Sequence, residues 1–150
     1  MNKYEEIYQF AADLAEGKVA EITIPGQELS IEHYLPWIGT EYTRIEFDDI
    51  KDGITSLEGW DTTILLNMLQ HIDDEQMMRR IEKNTSVIFS LQTYDDMGFL
   101  RTYTQASAFT HFDDLDIRVI EKFRDDGEKF VKCKPTENDI SVILIKAIKK

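Results

Sequence analysis

The densest local grouping of chemistry-bearing side chains is His111-Phe112-Asp113-Asp114-Leu115-Asp116. A histidine beside three carboxylates offers ligands for Mg²⁺ or Mn²⁺, or a general base oriented by an aspartate. The spacing follows no established metal loop, and the calcium-loop pattern with its central glycine and terminal glutamate is absent. A metal-dependent enzyme centred on His111, Asp113 and Asp114 is therefore the alternative reading. His33 and His71 stand alone, and His71 can interact with the last carbonyls of a helix. Cys133 lies between Lys132 and Lys134, which would lower its pKa, yet no histidine partner is indicated. There is no Gly-x-Ser-x-Gly, so an inert thiol is expected. Seven glycines supply no G-x-G or G-K-[ST] pattern, which argues against an NTP or dinucleotide enzyme. No cofactor is expected.

Carboxylates are the other resource. Asp-Asp pairs recur at 48–49, 73–74, 95–96, 113–114 and 125–126, mostly where turns or helix caps are expected, and there aspartate needs no functional explanation. The run Glu41, Glu46, Asp48, Asp49, Asp52, Glu58 and Asp61 is denser than turn chemistry needs, with only Arg44 and Lys51 among it. Trp37, Tyr42 and Trp60 flank it and offer the aromatic anchors that interface hot spots favour. Residues 1–75 carry 17 acidic and 4 basic side chains, a net of −13, whereas residues 76–150 carry 12 and 13, a net of +1. A surface so negative repels nucleic acid and anionic membranes and attracts basic proteins.

These features suggest a non-catalytic inhibitor that imitates nucleic acid and blocks a basic, nucleic-acid-handling protein. In size and acidity it is like immunity and anti-defence proteins. The expected contact surface is Glu41, Tyr42, Glu46, Asp48, Asp49, Asp52, Glu58, Trp60 and Asp61. An adaptor or assembly subunit with a merely solvating acidic surface is a further alternative.

The elements that must position these groups follow from periodicity. Two β-hairpins form the expected centre. The first is Ser86–Tyr94, the turn Asp95-Asp96-Met97-Gly98, and Phe99–Gln105. The second is Ile117–Arg124, the turn Asp125-Asp126-Gly127-Glu128, and Lys129–Lys134. A helix is expected over Lys3–Glu16, with Asn2 and Glu5 as a capping box and Gly17 as its stop. Lys18–Ile24 and Glu41–Phe47 alternate as strands, with Pro25-Gly26 ending the first. Ser30 caps a short turn over Ile31–Leu35. Asp48-Asp49 and Asp52-Gly53 punctuate a loop. Asp61 opens a helix to about Ile72, its stripe being Leu65, Met68, Leu69 and Ile72. Asp73 with Gln76 opens another, which Asn84 stops. Residues 106–116 are ambiguous. Ile140–Ile148, rich in β-branched residues, reads as a strand buried on both faces.

The expected fold is α+β: an antiparallel sheet of five to seven strands built on the two hairpins, with two or three helices on one face. The 150 residues suit a single globular domain with a self-sufficient core. One cysteine, no signal-peptide layout and no long apolar run make the cytoplasm the default.

Overall fold

A computed structural model of the chain describes residues 2–27, 29–35, 41–94, 100, 103, 104, 107, 112, 114–137 and 139–150. Among these residues seven strands form one mixed sheet in the order β2-β1-β3-β4-β7-β5-β6. They are β1 (Val19–Thr23), β2 (Tyr42–Glu46), β3 (Thr62–Leu65), β4 (Ser86–Gln92), β5 (Leu115–Asp125), β6 (Phe130–Lys132) and β7 (Val142–Lys149). Strands β1 to β4 are mutually parallel, β7 runs antiparallel between β4 and β5, and β6 closes the far edge as a hairpin with β5. Among the elements whose residues are described, the helices are α1 (Glu5–Leu14), α2 (Phe47–Lys51) and α3 (Asp74–Arg79), with 3-10 turns at Ile31–Tyr34 and Leu69–His71.

This corrects the antiparallel α+β expectation. Strand β4 pairs parallel with β3 and antiparallel with β7, and most of the expected partner Phe99–Gln105 lies outside the described residues. The turn 95–98 lies outside the described residues. The strand expected within Ile140–Ile148 is present as β7, and the Ile117–Lys134 hairpin is present as β5 and β6. The helix expected over Asp61–Ile72 is instead β3 followed by the 3-10 turn. Thr62, Thr63 and Ile64 are β-branched and crowd a helix, whereas all of Thr62–Leu65 is buried between two neighbouring strands. The loop expected at Asp48-Asp49 is the short helix α2.

Both faces of the sheet are covered, which explains why its central strands do not alternate in polarity. On one face α1 lays Ile7, Tyr8, Ala11 and Ala12 against Val19, Ile64, Ile88 and Leu144. On the other, Met77, Met78, Leu69, Ile50 and Phe47 cover Ala20, Ile22, Leu65, Val87 and Ile145. Each fully buried Val, Leu, Ile or Met side chain among them contributes roughly 1.5–3 kcal/mol. The C-terminal end of α1 is closed by β7: Lys146 Nζ donates to the Leu14 carbonyl at 3.0 Å and to Glu16 Oε1 at 3.2 Å.

Among the described residues, three carboxyls sit below their ordinary pKa range. Glu16 is held down first by the Lys146 hydrogen bond, Asp125 by that of Lys3, and Asp126 by the backbone N–H of Lys129. A depressed folded-state pKa adds stability above the unfolded pKa, and that increment is lost as pH falls through the folded value. The midpoint of thermal unfolding should therefore drop as pH falls below about 4. Replacing Lys3 with methionine should make that drop shallower. A melting series of both proteins from neutral to acidic pH checks it, and parallel curves would remove the Lys3–Asp125 link as a cause.

Candidate functional site

The loops at the carboxyl ends of the parallel strands carry the site. From β1 the chain crosses to β2 on one side, while β3 lies against the other side of β1. The two loops diverge at such a reversal of strand order and leave a crevice, the usual ligand position in sheets of this kind. A cleft of 740 Å³ lies there, lined from the ends of β1, β2 and β3 and from the start of α3.

Its walls differ chemically. The floor is Ile24-Pro25-Gly26-Gln27. Gly26 has φ +88°, and a Cβ placed on it would meet nothing within 4 Å, so the bare backbone is open to approach. Gln27 braces this loop: its Nε2 donates to the Tyr8 hydroxyl at 2.9 Å and to the Leu66 carbonyl at 2.8 Å. Its own carbonyl accepts from Arg44 at 2.6 Å. Burial first of all pushes the Tyr8 hydroxyl far above its ordinary pKa, so it stays a neutral hydrogen-bonding group. Phe47 and Ile72 supply apolar surface, Asp48 and Asp73 carboxylates, and Lys51 and His71 the basic groups. Asp73 also caps α3 by accepting from Gln76 N at 3.1 Å. A second concavity of 370 Å³ adjoins the first; both are lined by Gly26, Gln27 and Asn67, and the smaller one adds Lys3, Tyr4, Tyr8 and Leu29.

The acidic run does not stay together. Glu46 ends β2, and Asp48 and Asp49 open α2, with Asp52 just beyond it, all at the cleft end of the sheet. Glu41 precedes β2, and Asp61 precedes β3, at the opposite end about 13 Å away along the strands. There Lys18 answers them: its Nζ lies 3.9 Å from Glu41 and 4.6 Å from the Trp60 ring centre, and its N–H donates to Asp61 at 2.7 Å. Glu58 lines a groove with Arg79, Arg80 and Lys83. Tyr42 turns inward, its hydroxyl donating to the buried Glu21. Trp37 lies outside the described residues.

Of the alternative metal set, His111 and Asp113 lie outside the described residues, and Asp114 is ion-paired with Lys149. Burial, seconded by Glu137, pushes the Cys133 thiol up rather than down. Sequence reasoning gave no site role to Gly26, Gln27, Asn67 or Gln76. The one available signal was Pro25-Gly26 directly after a strand, which reads as a stop and also as an opening for close backbone approach.

No protein-family model matches the chain, and no curated protein matches it by sequence. Solved structures do match in fold. TehB from Haemophilus influenzae superposes with a TM-score of 0.54 at 10% identity, over 97% of this chain and 62% of its own. A SAM-dependent methyltransferase from Archaeoglobus fulgidus gives 0.55 at 11% identity, over 98% and 92%. The N-methyltransferase NodS from Bradyrhizobium japonicum, in complex with S-adenosyl-L-homocysteine, gives 0.52 at 11%, over 98% and 85%. The chain thus spans less than two thirds of TehB and most of the other two. Its fold is the Rossmann-like fold that these structures share. That likeness corrects the expectation of a non-catalytic, nucleic-acid-mimicking inhibitor of the immunity or anti-defence type: the solved structures that share the fold include a SAM-dependent methyltransferase and an N-methyltransferase. Among the described residues no helix is long and apolar enough to cross a membrane.

Proposed function

We propose that the chain is a methyltransferase that binds S-adenosylmethionine in the 740 Å³ cleft. The observation that carries the reading is the place of that cleft, at the reversal of strand order on the carboxyl edge of this sheet. The groups present suit the ligand. Phe47 and Ile72 offer apolar surface for the adenine. Asp48, with Glu46 at the end of β2, offers acceptors for the ribose hydroxyls. The open backbone at Gly26 leaves room for the chain of the ligand to pass close.

When bound, S-adenosylmethionine supplies a methyl group on a cationic sulfur. The protein's own part is to hold and orient it, exclude water, and place an acceptor lone pair opposite the departing sulfur. The acidity of the N-terminal half then takes a different meaning: a negative surface at the rim draws in a cationic ligand.

Calorimetric titration with S-adenosylhomocysteine should show saturable binding at one site. Gly26→Val, which sets a side chain into the open floor, should weaken that binding at least tenfold. The left-handed backbone at Gly26 adds about 1–2 kcal/mol of strain to the variant, so its melting curve is recorded alongside. A wild-type protein that takes up no S-adenosylhomocysteine at millimolar concentration would end this reading.

A further inference from the structure

Asn67 stands where the two concavities meet, and its surroundings are unusual. It follows the end of β3 in the left-handed region, at φ +54°, with its N–H donating to Ser90 Oγ at 2.8 Å. Two glutamines behind it are fully buried, Gln70 and Gln92. Both donate to the same atom: Gln70 Nε2 lies 2.8 Å and Gln92 Nε2 2.9 Å from Asn67 Oδ1. Both leave their own Oε1 buried without a hydrogen-bond partner. A left-handed non-glycine residue and two orphaned buried acceptors are each unfavourable, and such costs persist mainly where a site requires them.

The arrangement fixes which way the Asn67 amide faces. Turning all three amides over would keep the same close pairs, but each buried glutamine would then lose the one amide N–H bond it makes. Orphaned buried N–H groups are rarer than orphaned carbonyls, so the orientation with Asn67 Oδ1 inward is favoured. The Asn67 Nδ2 group is consequently left to face the concavities, with no acceptor among the described residues.

We infer that Gln70 and Gln92 hold Asn67 as a fixed hydrogen-bond donor for a carboxylate, that of the amino-acid arm of the adenosyl ligand, reaching from the cleft into the smaller concavity. This rests on the reading of the cleft as an S-adenosylmethionine site. An aimed amide N–H gives a charge-assisted bond to a carboxylate and no benefit to a ligand that lacks one. Asn2, Tyr4, Tyr8 and Leu29 wall the remainder of the concavity; Asn2 Oδ1 accepts from the Tyr4 N–H at 2.9 Å, and Lys3 beside them already serves Asp125 at 2.7 Å.

The test compares S-adenosylhomocysteine with 5′-methylthioadenosine, which keeps the nucleoside and lacks the amino-acid arm, and with the decarboxylated form of S-adenosylhomocysteine, which lacks only the carboxylate. On the wild type, removing the carboxylate should weaken binding at least tenfold. Asn67→Asp keeps an oxygen for both glutamines and exchanges the donor for a second acceptor. It should weaken S-adenosylhomocysteine at least tenfold and leave methylthioadenosine within about twofold, so the second ligand also reports that the variant is folded. Equal losses for both ligands, or no loss for either, would overturn the inference while leaving the cleft assignment standing. Failure of the wild type to bind any of the three would instead overturn the assignment of the cleft.

Discussion

Replacing Glu21 by alanine is expected to lower the free energy of unfolding by about 2–4 kcal/mol, read from urea denaturation. Glu21 lies mid-strand in β1 and is fully buried, an uncommon place for a carboxylate. It is held there by donors. Ser30 Oγ donates at 2.7 Å, the Ile31 N–H at 3.2 Å, and the Tyr42 hydroxyl donates as well. Hydrogen bonds to a charged group contribute roughly 1.5–3 kcal/mol each. The sum is not the expected loss, because removing the carboxylate also removes its desolvation penalty, itself several kcal/mol. Ser30 and Tyr42 lie 2.8 Å apart and can satisfy each other, so the alanine variant orphans chiefly the Ile31 N–H. Glu21 ties the 3-10 turn Ile31–Tyr34 and strand β2 to β1, and the cleft floor at Pro25–Gln27 lies within that tied loop. Weakened uptake of S-adenosylhomocysteine should accompany the loss of stability. A change below about 1 kcal/mol would mean that the loop stands without this anchor.

The same residue shows what the sequence could and could not disclose. Strand β1 was legible from the alternation of Val19, Glu21 and Thr23 with Ala20 and Ile22. That pattern implied a wet face for Glu21, whereas both faces are covered and every residue of β1 is buried. Helix α1, the β5–β6 hairpin and the strand character of β7 were legible because each has strong local signals: apolar spacing, an acidic-glycine turn, a β-branched run. Strand β3 was not. Leu65, Met68, Leu69 and Ile72 sit at helical spacing by coincidence of two different elements, a strand end and a 3-10 turn. Parallel pairing was hidden as well, since it joins residues such as Ala20 and Thr63 through long crossovers and leaves no mark on neighbouring positions.

The cleft inherits these limits. Asp48 and Glu46 stood out by charge, but Asn67 was concealed inside an expected helix, and Gln70 and Gln92 carry no local signature at all. Nor does charge counting along the chain say which end of a strand a residue occupies. Glu41 and Glu46 are five positions apart and lie at opposite ends of β2.

Substituting alanine for Gly17 is expected to cost about 3–4 kcal/mol, although the position is solvent-exposed and far from the cleft. Two separate effects add. Gly17 turns the chain from α1 into β1 at φ +67°, a conformation that costs an L-residue about 1–2 kcal/mol. A Cβ there would also fall 2.4 Å from Asp61 Oδ2 and 2.7 Å from both Asp61 Cβ and Cγ. Rotating the aspartate moves only the outer atoms and breaks its 2.7 Å bond from the Lys18 N–H, a loss of about 2 kcal/mol. The Cβ contact remains in any rotamer, so the backbone around Asp61 must shift too. That backbone is not free: its N–H donates to the Lys18 carbonyl at 2.9 Å and its carbonyl accepts from the Ser86 N–H at 2.9 Å. The strain therefore reaches the starts of β1, β3 and β4 together. A double-mutant cycle separates the terms. In an Asp61→Gly background all three obstructing atoms are gone, and Gly17→Ala should cost only the backbone term. The coupling between the two sites should be about 2 kcal/mol, and additive effects would show that the crowding at Asp61 is relieved without cost.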